Sequence, residues 1–158
     1  MPSFRLTQQE AWAAVAAAHT GMYTTLRRDG RPVTLPVWQV VIDERIYLRT
    51  PAGAAKLRRV RNDPRGFFMV ETGTAWAQLA AVTIAVEAAI VLDDALAEQA
   101  SRAIEEKYPG LGPDLDVLPD AVRAHYGAFS VIELTAVGRL SSWNNRALLG
   151  DSGPIEWA

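Results

Sequence analysis

The sequence predicts a mainly β protein with peripheral helices (α+β), its six antiparallel strands forming a small closed or partly closed barrel. Three observations carry that expectation. From Trp76 to Leu92 the chain alternates with period two: Val82, Ile84, Val86, Ala88 and Ile90 fall on one side, Ala81, Thr83, Ala85, Glu87 and Ala89 on the other. Such alternation marks a strand with one buried face. Asp29-Gly30 and Asp43-Glu44 each separate two β-type runs, and tight turns of this kind join antiparallel neighbours. Helical periodicity is confined to short stretches, and an all-antiparallel sheet removes its exposed edges by closing on itself.

Taken in order, Thr7-Gln8-Gln9-Glu10 reads as a capping box opening a first helix, with Trp12, Val15, Ala16 and His19 on one face and Gly21 ending the pattern. Met22 to Arg28 is the first strand. Arg31 to Ile42 returns, with Val33, Leu35, Val37 and Val41 pointing one way and Trp38, Val40 and Ile42 the other. Pro36 cannot donate to a ladder, so it marks an edge or a bulge. A short strand, Arg45 to Thr50, leads past Pro51 and Gly53 into a short helix from Ala54 to about Asn62, stopped by Asp63-Pro64. Gly66 to Thr72 is the fourth strand, Gly73 to Ala75 a turn, and Trp76 to Leu92 the fifth strand. Asp93 or Asp94 caps a helix carrying Leu96, Ala100, Ala103 and Ile104, which ends at Pro109-Gly110. A loop from Leu111 to Val117, a short helix from Pro119 to Tyr126 and a last strand from Phe129 to Leu140 follow. A tail from about 141 to 158 completes a single domain spanning residues 1–158.

The length, 158 residues, suits one domain with a core of its own. There is no cysteine, which excludes disulfides and thiolate chemistry. The start, MPSFRLTQQE, has no apolar signal core, and the most apolar run, Leu79 to Leu92, is too short for a membrane helix and contains Glu87. A cytoplasmic protein is expected. With a formal net charge of −2, wholesale nucleic-acid binding is disfavoured, and neither nucleic acid nor membrane is an expected partner.

One segment breaks that balance. Between Arg45 and Arg65 lie seven of the sixteen lysines and arginines, with Asp63 the only acid among them. Such a cluster repels itself unless water or an anion neutralises it. Two readings stay open. It is a solvated basic helix docked through Leu57 and Val60, with Arg58 and Arg61 turned to solvent. Alternatively, the end of the strand and the start of the helix hold a phosphate: free N–H groups at Ala54-Ala55, the hydroxyl of Thr50, and the cations Arg49, Lys56 and Arg59. His19 and His125 lie near helix ends with no acid beside them in sequence, so neither a triad nor a metal set is suggested.

The order DGRPVTLPVWQVVIDERIYLRT, then AKLRRVRNDPR, then an apolar strand resembles the flavin- and deazaflavin-binding split-barrel family whose founding member is pyridoxamine 5′-phosphate oxidase. GTAWAQLAAVTIAVEAAIV and SSWNNRALLG are similar to its branch that uses the deazaflavin coenzyme F-420. The resemblance runs from about Thr7 to Gly150. It implies a split β-barrel, of the flavin-reductase and oxidase type, that forms homodimers with a cofactor in each of two grooves at the subunit interface. By the same resemblance Arg49, Thr50 and Lys56 hold the cofactor phosphate, and Pro36, Val37 and Trp38 line the ring site. Trp76 and Gln78 lie near the ring, and Trp143 and Asn144 approach from the partner or close the groove. The implied activity is transfer of a hydride between F-420 and a small conjugated organic substrate. FMN in the same groove is one alternative. A non-catalytic binder of a cofactor or haem-like ligand is another, because Ala80, Ala81 and Ala85 stand where relatives often carry polar residues or glycine. The Arg-x-His motif that holds substrate phosphate in true pyridoxamine phosphate oxidases has no match in GRLSSWNN.

Overall fold

The computed structural model describes residues 4–157. Its helices are α1 (Gln8–Ala17), α2 (Ala55–Asn62), α3 (Asp94–Lys107), α4 (Asp120–His125) and α5 (Asn145–Leu148). Its strands are β1 (Gly21–Leu26), β2 (Pro32–Val37), β3 (Gln39–Ile42), β4 (Arg45–Pro51), β5 (Arg65–Thr72), β6 (Ala80–Ile90), β7 (Phe129–Ala136) and β8 (Ser141–Asn144).

Local chemistry sets the ends of these elements. The capping box forms as expected. Thr7 N and Thr7 Oγ1 both donate to Glu10 Oε2, at 2.7 and 2.8 Å, and Glu10 N donates to Thr7 Oγ1 at 3.2 Å. Gly30 (φ +81°) turns the β1–β2 hairpin. Asp43 and Glu44 (φ 50° and 55°) turn the β3–β4 hairpin in the left-handed conformation that two-residue hairpin loops require. The side chain of Asp93 accepts from Leu96 N at 3.0 Å and caps α3.

The strand order is β2-β1-β5-β6-β7-β4-β3, with β8 paired to β6, and every pairing is antiparallel. β2 and β3 stand at opposite ends of that order, yet only Trp38 separates them in the chain. The run from Pro32 to Ile42 is therefore one bent strand that changes partner from β1 to β4, and this closes the barrel. Its alternation survives the bend. Val37 and Val41 belong to the central core, while Trp38, Val40 and Ile42 pack in a second cluster outside.

The sheet has eight strands rather than six. The break at Trp38 divides the second expected strand. The fifth begins at Ala80, because Trp76–Gln78 forms a single 3-10 turn. The last ends at Ala136, and after Gly138 (φ +77°) the chain returns as β8, which lies in the expected tail. Four residues are too few for period-two alternation to register in sequence.

The two ends of the barrel are plugged by helices. Ala11, Ala14 and Val15 of α1, and Leu57 and Val60 of α2, join Tyr23, Phe68, Val82, Ile84 and Leu134 in one core. Gly21 admits no side chain, since a Cβ there would lie 2.2 Å from Phe68 Cζ. Helix α3 lies outside, on β3, β4 and β7, through Ala100, Ile104 and Tyr108 against Val40, Tyr47 and Val131.

Candidate functional site

The bent strand that closes the barrel also opens it. β4 pairs with β7 from Ile46 to Pro51, but with β3 only as far as Leu48. β2 pairs with β1 alone. From Trp38 onward the edge of β2 at Pro36-Val37 and the edge of β4 at Arg49–Pro51 form no ladder with each other, and this unpaired gap between them is the slot. The hairpin register explains how the β2 edge stays unpaired. Arg27 N donates to Arg31 O at 2.9 Å, and bonded pairs alternate in an antiparallel ladder. Val33, Leu35 and Val37 thus bond to β1, whereas Pro32, Thr34 and Pro36 face outward. Two of those three outward positions lack an N–H, which blunts the edge.

Helix α2 starts beside this slot, three residues after β4. Its first turn inverts the usual arrangement. Ala54 stands at the N-cap with no side-chain hydrogen bond, and the first turn holds Lys56 and no acid. The N-terminal N–H groups of a helix have no partner within it, and the positive end of its dipole disfavours a cation. Lys56 is half-buried; burial lowers the pKa of its ammonium, and Arg59 lowers it further. Thr50, 3% exposed, ends β4 on the core side. A Cβ on Gly53 would lie 4.0 Å from His125 Nδ1, so the end of α4 borders the same turn. Nothing in the sequence brings His125 there, more than seventy residues on.

Three of the expected site residues are otherwise engaged. Strand alternation puts Arg49 with Tyr47 on the face under α3. There its Nη1 lies 2.6 Å from Glu105 Oε1, and its guanidinium sits 4.7 Å from the centre of the Phe129 ring. It is not a free cation beside Lys56. The Trp38 ring stacks on Tyr108 (4.7 Å, 8°) with His19 edge-on to both. It packs under the end of α3, so Trp38 borders the slot through its backbone. Arg59 donates from Nε to Thr25 Oγ1 at 2.6 Å, on the side of α2 that faces β1.

The remaining four residues gather elsewhere. Trp76 is 62% exposed in the 3-10 turn, and Gln78 Oε1 accepts from Ala75 N and Thr74 Oγ1. Trp143 of β8 pairs with Ala81, and Asn144 caps α5 through Arg146 N. Asn145 Nδ2 bonds Trp76 O at 2.8 Å and ties the group together. This group lies at the start of β6, while α2 packs at its end. Ten residue steps separate the two ends of that strand, at most about 33 Å along its path. Within one protomer the structure therefore yields two groups, one at the slot and one at the β8 edge.

A buried polar network escaped the sequence reading. Gln39 is fully buried and donates to Val15 O and Ala18 O, and Tyr108 Oη accepts from Gln39 N at 3.1 Å. Lys107 Nζ donates to Ala16 O, Ala18 O and Gln39 O at 2.8–3.0 Å. A glutamine between Trp38 and Val40, on the core-facing side of the alternation, is the one signal that pointed to it. The network ties α3 to the end of α1 and is structural. Among the described residues no group of three His, Asp or Glu is placed to hold a metal ion, and no helix is long and apolar enough to cross a membrane.

The sequence model of the family described as pyridoxamine 5′-phosphate oxidase matches residues 7–139. The chain belongs to this family. No curated protein matches it. Among solved structures it is similar to a conserved hypothetical protein from Mycobacterium tuberculosis, at 27% identity and TM-score 0.76, over 95% of this chain and 92% of that one. It is also similar to a protein named for 5-nitroimidazole antibiotic resistance from Bacteroides thetaiotaomicron (11% identity, TM-score 0.68, 87% and 85% covered). A third is a FAD-binding protein from Mycobacterium smegmatis (17% identity, TM-score 0.62, 87% and 96% covered). At such identities the last two speak for the fold. The family resemblance and the mainly antiparallel barrel with peripheral helices are thus borne out.

Proposed function

We propose that this protein is a homodimeric oxidoreductase that binds a flavin-type cofactor, coenzyme F-420, with the cofactor phosphate at the start of α2. The observation that carries the reading is the uncapped, cationic N-terminus of α2 beside the slot, which a phosphate ester would complete. When bound, the deazaflavin supplies the hydride chemistry. The chain's own residues bind and orient. Thr50, Lys56 and the free N–H groups of Ala55 and Lys56 hold the phosphate, and Arg59 adds charge. Arg49 joins by exchanging Glu105, an exposed partner whose loss costs little. The backbone of Pro36, Val37 and Trp38 flanks the ring.

A second copy of the chain supplies the remaining residues. The outward faces of β1, β2, β5 and β6 carry Met22, Phe67, Met69 and Ala85 in neighbouring register positions, and Phe67 is 45% exposed. The three longer helices lie at the two ends of the barrel and over β3, β4 and β7, not on this face. Two such faces packed about a two-fold axis would carry the Trp76, Gln78, Trp143 and Asn144 group of one protomer toward the slot of the other. The substrate is a small conjugated organic molecule that shares the groove.

FMN in the same groove is the second reading, favoured by the family and by relatives named for FAD binding. The deciding experiment titrates the purified protein with F-420 and with FMN and follows the emission of its five tryptophans. Saturable quenching by F-420, with turnover of an electron acceptor, is the expected result. Saturation by FMN alone exchanges the cofactor, and binding without turnover to any acceptor leaves a carrier. No quenching by either removes the proposal.

A further inference from the structure

Seven of the fourteen arginines are paired, and four of the others gather in one place, apart from Arg61 and Arg139, which pair with no carboxylate among the described residues and line no part of it. Arg31, Arg45, Arg49, Arg65, Arg102, Arg123 and Arg146 each have a carboxylate within salt-bridge reach. Among the described residues Arg27, Arg28, Arg58 and Arg59 have none, and these four line one cleft of about 290 Å³ with Ala55 and Asn62. The cleft lies between the β1–β2 hairpin and the face of α2 formed by positions 55, 58, 59 and 62, whose i, i+3, i+4, i+7 spacing is one side of a helix. No acid lines it. The nearest in sequence, Asp29, is turned to Arg31 at 3.7 Å and bonds Arg31 N at 3.1 Å.

Four guanidiniums without a counter-charge repel one another, and Arg27 and Arg58 both act on Arg59. One of the four is fixed in place. Arg59 spends its Nε on Thr25 Oγ1, itself 2% exposed, which leaves its paired Nη groups to form the planar fork that grips an oxyanion with two parallel bonds. Arg27, Arg28 and Arg58 are exposed and free to close on a ligand. A single phosphate occupies one or two such forks, so four call for a ligand with several charged groups in series. The volume accepts a few linked groups and no more.

We infer that the cleft between the β1–β2 hairpin and α2 is a binding site for a small polyanion carrying two or more phosphate or carboxylate groups, held by Arg27, Arg28, Arg58 and Arg59. The cleft shares Ala55 and Arg59 with the cofactor reading and goes beyond it through Arg27, Arg28 and Arg58, which that reading does not use.

Calorimetric titration of the full chain with phosphate, pyrophosphate, tripolyphosphate and citrate tests it. Pyrophosphate and tripolyphosphate bind saturably, and phosphate binds at least tenfold more weakly. The double variant R27A/R58A and, separately, R28A/R58A weaken tripolyphosphate at least tenfold. Arg102→Ala, on α3, stays within threefold of the parent. These arginines are exposed, and an unchanged melting temperature verifies the fold of each variant. Citrate following the same pattern makes carboxylates part of the ligand class, and citrate failing to bind restricts it to phosphates. Three results overturn the site: no saturable binding of any probe, full affinity in both double variants, or an equal loss in Arg102→Ala. A loss confined to Lys56→Ala overturns it too, by moving the anion to the start of the helix.

Discussion

Helices α2 and α3 do the same mechanical work and are wired in opposite ways. Each lays an apolar stripe on the barrel, Leu57 and Val60 in one case, Ala100 and Ile104 in the other. Most charges of α3 are settled within the protein. Asp93 caps its first turn, Asp94 faces the positive end of the dipole, and Arg102 pairs with Glu98. Glu105 meets Arg49, and Lys107 closes on the carbonyls at the end of α1. Helix α2 has alanine at its cap, a lysine where an acid belongs, and arginines that pair with no carboxylate among the described residues. Its only nearby acid, Asp63, is held by Arg65. A helix so arranged gives up stability that α3 keeps, and the proposed anion would restore it. The difference is the reason for proposing the site at α2, where the helix leaves its charges unsatisfied.

Giving α2 the cap that α3 has should have the largest effect. In Ala54→Asp the new carboxylate caps the helix, raising stability by about 1 kcal/mol. It also stands where the phosphate would sit. Two like charges about 4 Å apart repel by roughly 4 kcal/mol at an effective dielectric of 20, so cofactor quenching should disappear while the melting temperature rises. Unchanged affinity in that variant would detach the cofactor from the start of α2. Lys56→Ala comes next, with a loss of about 1–3 kcal/mol in cofactor binding, the range for a charge-assisted hydrogen bond. Arg49→Ala, measured beside it, should cost less, because Glu105 already takes part of its charge. The reciprocal change on α3, Asp93→Ala, should lower folding stability by about 0.5–2 kcal/mol in chemical denaturation and leave cofactor affinity alone. Loss of affinity there would mean that α2 and α3 are coupled and the contrast between them is false.

The barrel was readable because it rests on local signals: the alternation of β6, the two hairpin turns, and the caps at Thr7 and Asp93. Pro36 marks an edge or a bulge in the sequence, and it sits on the unpaired edge of β2. What sequence could not give depends on the register between distant strands. The pairing Gln39–Leu48 ends the β3–β4 ladder and opens the slot. Arg49 looked available beside Thr50 and Lys56, yet strand alternation turns it toward Glu105, 56 residues away. Trp38 looked like a ligand contact, and Tyr108, contributed by α3, covers its ring. The pairing of Arg27 and Arg28 with Arg58 and Arg59 was hidden in the same way. The two dipeptides lie about thirty residues apart, and only the packing of α2 on β1 joins them.

The smallest expected effect probes the α3 side of the comparison, through pH. Lys107 has no carboxylate partner among the described residues, and burial pulls its ammonium down to about 8 from the ordinary 10.5. Below pH 8 both the folded and the unfolded chain hold this proton, and the folded state bears the cost of burying a cation. Between about pH 8 and 10 the folded chain has released the proton and the unfolded chain has not, so stability rises with pH. Above pH 10 the tyrosines oppose that rise. Burial pushes Tyr23 well up and Tyr47 to about 12, so the folded state keeps protons that the unfolded state loses. Chemical denaturation at pH 7, 8, 9 and 10 should therefore trace a shallow rise that is absent in Lys107→Met, where the side chain keeps its length and loses its charge. A rise that persists in Lys107→Met belongs to another group. A flat profile in the parent would show that the three carbonyls of Ala16, Ala18 and Gln39 hold the proton against burial. In that case α3 ends on a permanent charge, as settled as the rest of the helix, and the contrast with α2 becomes sharper still.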